Sequence, residues 1–296
     1  MDAGKPPLYR KGVDSPSPAL GLAEGLEALG RLLRGRRFVA LTGAGLSTES
    51  GIPDYRGPTT RHLPRRPIQH REFVERPEAR RRYWARSTIG FPRFAEAEPN
   101  PGHHALARLE HAGLLAGVIT QNVDRLHHRA GSRHVIELHG SLAEVVCLGC
   151  GAREARLALQ ERLLERNPWC RRRVAELRPD GDVALDDEDV RGFVVVPCDR
   201  CGGDLMPDVV FFGGSVPRDR VEAAYALVEG AEALLVLGTS LAVYSGLRFP
   251  RRAKERGLPV ALVNLGETRG DPLCDLRVEA RTGEILPALA DALIGA

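Results

Sequence analysis

The apolar run at residues 37–42, with the core FVAL, closes on Thr42 and passes at once into GAGLSTESGIPDYRG, and this junction does most to limit how the chain folds. A short, β-branched, apolar stretch of that kind predicts a strand buried in a parallel sheet. Gly43 and Gly45 mark its exit. At the carboxyl end of such a strand, glycines permit a tight turn and the close backbone approach that a pyrophosphate needs, with helix N-terminal amides facing the charge. Glycine pairs also serve turns for backbone reasons alone, so the loop by itself leaves both readings open.

The dehydrogenase fingerprint fits poorly. Thr48 stands where a third glycine belongs, and the stretch about twenty residues on reads His62, Leu63, Pro64, Arg65, Arg66, with no acidic residue to hold a ribose. Residues 50–56, SGIPDYR, carry a glycine and a proline that predict an ordered loop rather than a continuing helix. Hydride transfer is therefore disfavoured.

Similar apolar runs recur at residues 117–120, 208–212, 233–237 and 260–264, and helical spacing is clearest at 20–33, 105–115, 221–228 and 285–294. The alternation predicts an α/β fold, a doubly wound parallel sheet covered on both faces. Two segments interrupt it: residues 57–94, rich in arginine and proline, and residues 146–204, which hold most of the cysteines. Both read as insertions. At 296 residues and 43% hydrophobic content the chain buries one substantial core and a smaller lobe, and its net charge of +3 does not imply nucleic acid. No apolar run is long enough to span a bilayer, and the N-terminus lacks a secretory apolar core. A soluble cytoplasmic protein of bacterial type is expected, with residues 1–19 a flexible leader; acidic residues and prolines there disfavour a mitochondrial transit peptide.

Cys147 and Cys150 form one CxxC pair and Cys198 and Cys201 another, so four thiolates can surround one tetrahedral ion. Residues 151–197 make a longer gap than zinc ribbons use, and a redox pair is the competing reading. Four protein sulfurs leave no position for water, so the expected role is one structural Zn2+ with no metal catalysis. Cys170 and Cys274 are expected to be inert thiols. His139, in ELHGS, is either a base at a strand end or a satisfied core histidine. Asn122 and Asp124, in TQNVDRLHHRAG, either cap a helix or recognise a ligand. His127 and His128, further along the same run, read as surface or structural. Gly238, Thr239 and Ser240 follow the strand ALLVL, and Asn264 follows VALV, at carboxyl ends where doubly wound sheets bind ligands and where caps are also common.

Taken in order, the glycine loop, TQNVD, ELHGS, the split cysteine quartet, PDVVFFGG, GTSLAVYS and VNLG resemble the sirtuin family of NAD-dependent protein deacylases. The likeness runs from about Gly21 to Ala290. Three finer features, RRPIQHREF, RRRYWAR and the long segment between the cysteine pairs, look like the class II branch that includes mammalian mitochondrial sirtuin four. The resemblance implies a Rossmann-like NAD-binding domain of residues 20–57, 95–145 and 205–296. A small domain of residues 58–94 and 146–204, with a helical module and a zinc module, would face it across a cleft.

It also implies roles. His139 would deprotonate a ribose hydroxyl of the co-substrate, a task that suits an imidazole with an ordinary pKa of about 6.5. Asp124 would receive the nicotinamide carboxamide, Asn122 would hold the nicotinamide ribose region and Gln121 would bond a ribose hydroxyl. Gly43, Ala44, Gly45 and Arg56 would lie near the pyrophosphate, Asp54 would also bind the cofactor, and Tyr55 would shield the reacting ribose where the family usually has Phe. Gly238, Thr239, Ser240 and Asn264 match phosphate and adenosine-ribose contacts. Val209, Phe211 and Gly213 would contact an acyl-lysine peptide, with Gly214 where relatives often carry an acidic residue. Tyr83 and Arg86 have the spacing that succinyl-selective members use for a carboxylate.

The implied activity is deacylation of protein lysine, deacetylation by default, yielding nicotinamide and O-acyl-ADP-ribose. The alternatives are protein mono-ADP-ribosylation and non-catalytic sensing of NAD or acyl-lysine. Expected partners are acyl-lysine proteins, with neither membrane nor direct nucleic-acid binding.

Overall fold

The computed structural model describes residues 19–55, 57, 67–173, 181, 183, 185 and 187–295. The leader, apart from Ala19, and the expected contact Arg56 lie outside the described residues.

The first half of the chain runs α1 (Leu22–Leu33), β1 (Phe38–Thr42), α2 (His70–Glu75), α3 (Pro77–Ala95), α4 (Pro101–His111), β2 (Leu115–Thr120), α5 (Leu126–Arg129), β3 (Val135–Glu137), β4 (Gly140–Cys147), β5 (Arg153–Ala155) and α6 (Arg156–Arg166). It continues with α7 (Asp187–Gly192), β6 (Leu205–Val209), α8 (Arg218–Glu229), β7 (Ala233–Leu237), α9 (Tyr244–Glu255), β8 (Val260–Val263), β9 (Leu276–Val278) and α10 (Thr282–Ile294).

A wholly apolar strand has nothing to show to water, and β1, β2, β7 and β8 are buried along their whole length. They form the middle of a six-stranded parallel sheet in the order β3-β2-β1-β7-β8-β9. Successive side chains of β1 go to opposite faces. Phe38 and Ala40 join Leu29 and Leu33 of α1, Leu106 of α4 and Leu289 of α10, whereas Val39 and Leu41 join Val228 of α8 and Leu247 and Phe249 of α9. The chain winds outward from β1 to β3, then restarts on the other side of β1 with β7. The order therefore reverses between β1 and β7, and a crevice opens beyond their carboxyl ends.

The second sheet is antiparallel, β5-β4-β6, and packs with α3 and α6 around Tyr83, Trp84, Leu163, Val145 and Phe211. This corrects one expectation. The apolar run 208–212 is not a strand of the parallel sheet: β6 stops at Val209 and pairs antiparallel with β4, and Phe212 makes only an isolated bridge to Gln69. A run without alternation does not say which sheet buries it. The small sheet reaches back to Gly140 and forward to Val209, past the expected lobe boundaries at 146 and 204. The stripe expected at 105–115 is the end of α4, which starts earlier at Pro101 behind an Asn100 capping box, and Leu115 already belongs to β2. Among the described residues no helix is long and apolar enough to cross a membrane.

Arg156, the first residue of α6, is fully buried. Its guanidinium lies 4.2 Å from the Phe91 ring centroid and 5.3 Å from that of Trp84. Nη2 reaches the Ser87 carbonyl at 3.4 Å and hydroxyl at 3.3 Å, while Nε and Nη1 have no partner among the described residues. Burial pulls the group down to about 10. Desolvating a cation with so few partners opposes folding, so Arg156→Met is expected to be neutral or to stabilise by about 1 kcal/mol or more. Urea unfolding of the two proteins checks this.

Candidate active site

A cavity of about 1030 Å³ fills the crevice between the carboxyl ends of β1, β2 and β7 and the small lobe. The loops after β1 and β7 meet at its floor. Gly45 N–H donates to the Gly238 carbonyl at 2.8 Å. A Cβ on Gly43 would lie 2.5 Å from Thr239 Cβ, and one on Gly45 would lie 2.8 Å from the Gly238 oxygen. Glycine is needed here for close approach of two backbones, and the result is a cradle walled by peptide groups with Ala44, Thr239 and Ser240 on its lining. Asn264, after β8, also lines the cavity, its amide turned onto the carbonyls of Leu265 at 2.9 Å and Gly266 at 3.0 Å.

The loop after β2 is tied to this cradle. Asn122 Nδ2 donates to the Gly43 carbonyl and to Ser47 Oγ, each at 3.0 Å, and Ser47 Oγ donates to Asp124 Oδ2 at 2.7 Å. The other Asp124 oxygen accepts from Leu126 N–H, the first amide of α5, at 3.0 Å, while Arg125 holds the cap position itself, and Asp124 lines the cavity. Burial raises the Asp124 carboxyl, against the lowering pull of those two hydrogen bonds. Gln121 Nε2 spans the Thr42 carbonyl at 3.2 Å and Thr239 Oγ1 at 3.0 Å, linking the ends of β1, β2 and β7.

His139 sits between β3 and β4 on the cavity wall. Its Nδ1 is 3.0 Å from the Gln121 carbonyl and its Nε2 is 2.9 Å from Ser245 Oγ. The next residue must be glycine: Gly140 has φ +83°, and a Cβ there would lie 2.0 Å from the Asp208 carbonyl. Burial holds the His139 imidazole below its ordinary range, the Gln121 carbonyl opposes this, and the Arg248 charge adds to it. A neutral imidazole, with a lone pair on one ring nitrogen, is the form a general base requires.

The other wall is apolar. Val209, Phe211 and Gly213 line it, with Phe211 stacked on Phe73 at 5.0 Å and set edge-on to Tyr83 at 5.3 Å. Tyr55, with Asp54 beside it, faces the cavity and meets Phe212 edge-on at 6.1 Å. Tyr83 lines the cavity; Arg86, one turn on, is not on its lining. Sequence reasoning missed Ser47, Ile68, Phe94, Leu142, Ser245 and Arg248, all on the wall. Ser47 had a signal in its place within the glycine loop, Ser245 as the last residue of GTSLAVYS and Ile68 within RRPIQHREF; Phe94, Leu142 and Arg248 are ordinary helix or strand residues until the chain folds.

His127 is buried rather than on the surface, its Nε2 3.0 Å from Thr42 Oγ1, and its ring meets buried His103 at 4.9 Å between centroids. Burial lowers both, His103 to about 3 and His127 well below the ordinary value. The unfolded chain then binds protons that the folded chain excludes once the pH drops below about 6.5, so this contribution is complete above that pH and is lost as the pH falls. Each histidine is expected to cost about 2 kcal/mol between pH 7.5 and 5. Urea midpoints at the two pH values should fall less for His127→Gln than for the parent.

At the far end of the small lobe, Cys147 and Cys150 at the end of β4 face Cys198 and Cys201 before β6, the four sulfurs all within 4.8 Å of one another. Cys147 and Cys201 are 3.5 Å apart, Cys150 and Cys198 3.9 Å. A tetrahedron with Zn–S bonds of about 2.3 Å has edges of about 3.8 Å. The Cys150 and Gly149 amides bring the Cys147 thiol down to about 6 against the effect of burial, while, against the Gly203 amide, the neighbouring thiols push Cys201 up to about 12, so one thiolate forms readily and a metal displaces the remaining protons. The donor set fits one structural zinc and excludes an open, catalytic one. Cys170 is buried elsewhere.

The chain is similar to known proteins in sequence and in fold. A solved structure of Sir2 with a p53 peptide and NAD+ superposes with a TM-score of 0.68 at 34% identity, covering 88% of this chain and 95% of that one. NAD-dependent protein deacetylase 1 of Streptomyces coelicolor is 52% identical over 288 residues, 96% of this chain and 94% of its own. The human mitochondrial NAD-dependent protein lipoamidase sirtuin-4 is 49% identical over 257 residues, 86% of this chain and 82% of its own. With the Sir2 family model matching residues 43–245, from the glycine cradle through His139 and the cysteine quartet to Ser245, the chain belongs to the Sir2 family.

Proposed function

We infer that the chain is an NAD-dependent protein-lysine deacylase, a deacetylase by default, that releases nicotinamide and O-acyl-ADP-ribose. The observation that carries this is the convergence of a neutral imidazole, His139, and the Asn122–Ser47–Asp124 network on one cavity with an apolar wall. NAD, when bound, supplies the ribose carbon that takes the acyl oxygen as nicotinamide departs. The backbone at Gly43, Ala44 and Gly45 would hold its pyrophosphate, and Gly238, Thr239, Ser240 and Asn264 its adenosine side. Asp124 would fix the carboxamide, Asn122 and Gln121 the nicotinamide ribose, and Asp54 and Tyr55 would close over that end. His139 takes the proton of a ribose hydroxyl at Nε2.

An acyl-lysine peptide would lie along Val209, Phe211 and Gly213, where the chain leaves the small sheet and its apolar side chains can enclose a lysine stem. Tyr83, edge-on to Phe211 on that wall, would bound the acyl chain; Arg86 has the chemistry for a carboxylate but would have to approach from outside the present lining.

The test is incubation with NAD and acetyl, long-chain, lipoyl and dicarboxyl lysine peptides, following nicotinamide and O-acyl-ADP-ribose by mass spectrometry. Equimolar release of both products with one class of peptide is expected. Nicotinamide release with ADP-ribose appearing on protein would instead establish ADP-ribosyl transfer.

A further inference from the structure

His139 is held at both ring nitrogens, and the partners decide which is which. The Gln121 carbonyl only accepts, so the hydrogen lies on Nδ1; the neutral ring then offers its lone pair at Nε2, and Ser245 Oγ–H donates to it across 2.9 Å. Ser245 is in the first turn of α9. One turn on, Arg248 also lines the cavity, its guanidinium 5.1 Å from the centroid of the exposed Tyr244 ring. Its Nε is buried without a hydrogen-bond partner among the described residues, and no described carboxylate pairs with it.

The other charges around His139 are spent on one another. Arg220 of α8 pairs with Asp208 of β6 at 3.3 Å, and Arg153 of β5 pairs with Asp208 and with Glu144 of β4 at 2.8 Å each. Glu137 of β3 faces Arg125 at 3.6 Å and His128 at 3.8 Å, and Asp124 is engaged by Ser47 and the Leu126 amide. Arg248 has no carboxylate partner among the described residues; Arg251, also on α9, lies over the same Tyr244 ring at 5.7 Å, and Glu267 lines the cavity.

We propose that Ser245 and Arg248, one turn apart on α9, are positioning residues that act through His139, the hydroxyl fixing the ring and the guanidinium setting the field around it. The serine keeps the Nε2 lone pair aimed into the cavity and holds the place that a substrate hydroxyl takes on entering. The nearby cation disfavours a second proton on the ring, so the base stays neutral at lower pH than burial alone would allow. The idea rests on the reading of His139 as the general base, and its test has one arm that needs no turnover.

In that arm, protein labelled with ¹³C in the histidine ring is titrated by NMR, with His139 assigned from the missing signal of His139→Ala. The expected result is an Nδ1–H tautomer in the parent, a midpoint raised by about one pH unit in Arg248→Met, and little change in Arg248→Lys. In the kinetic arm, Ser245→Ala is expected to lower kcat about ten-fold with KM values within two-fold, and Ser245→Thr to recover most of it. Arg248→Met should move the acidic limb of kcat about one unit to higher pH. An unmoved His139 midpoint in Arg248→Met overturns the electrostatic half. Unchanged kcat in a Ser245→Ala protein of parental melting temperature, or a rise in KM alone, overturns the positional half by making these residues scaffold or substrate contacts. If Ser245→Ala does not fold, Ser245→Thr and the NMR tautomer decide. A parent that turns over no acyl peptide sinks the deacylase reading, while the titration still decides whether Arg248 acts on His139.

Discussion

Stripping the metal from the four-cysteine site is expected to melt the small lobe at temperatures where the six-stranded sheet remains folded, and to abolish turnover with it. The lobe has little else to close it at that end. Cys147 is the last residue of β4, and the Cys198–Cys201 turn leads into β6, so the ion clips together the two strands that make up most of the small sheet. Structural zinc in small domains contributes on the order of 10 kcal/mol to folding, more than a lobe of this size retains without it. The other ends of the same strands reach the large cavity: β4 begins next to His139, and β6 ends at Val209 on the apolar wall. Loss of the clip is therefore felt far from the metal. Calorimetry of protein treated with a chelator, beside a colorimetric count of released zinc, should show one ion per chain and a new low-temperature transition. Cys147→Ser should behave like the chelated protein, and Cys170→Ser like the parent, because Cys170 is not one of the four sulfurs that lie within 4.8 Å of one another. Unchanged melting after verified metal loss would remove the structural role.

Much of this plan was legible because burial leaves a plain mark on sequence. β1, β7 and β8 had to be apolar throughout, and each ends in the Gly, Thr or Asn that a crevice-lining loop uses. The flanking strands β3 and β9 left no such mark: each is three residues long and only partly buried. The run 208–212 misled only as to its sheet, because a stretch without alternation fits a strand of either sheet as well as the wall of a cavity. Candidate ligand residues within the family's motifs could be read one by one, but their couplings could not. Ser47 meets Asp124 across 77 positions, and His139 meets Ser245 across 106. Tyr83 and Arg86 show the limit of spacing: three residues along α3 share a face, yet one full turn separates a side chain on the cavity from one beyond it.

Replacing His139 by alanine is expected to lower kcat for deacylation by about 10²- to 10⁴-fold, the range a positioned base supplies, while the KM for NAD changes little. The asymmetry follows from the wiring of the site. The groups that would bind NAD hold one another, Asn122 to Gly43, Ser47 to Asp124 and Gln121 to Thr239, and none of these bonds passes through the imidazole. Gly140 carries the backbone turn, so the main chain at residue 139 keeps its course with a smaller side chain, and water can occupy the vacated space beside Ser245. The pH dependence gives an independent check. Since burial and Arg248 hold His139 below its ordinary value, the parent's kcat should stay level down to about pH 6.5 and fall only as the pH passes through the depressed value. The residual rate of His139→Ala should lack that limb. A loss below about ten-fold, or a limb that survives the substitution, would mean that the ribose proton leaves by another route and that His139 only shapes the wall.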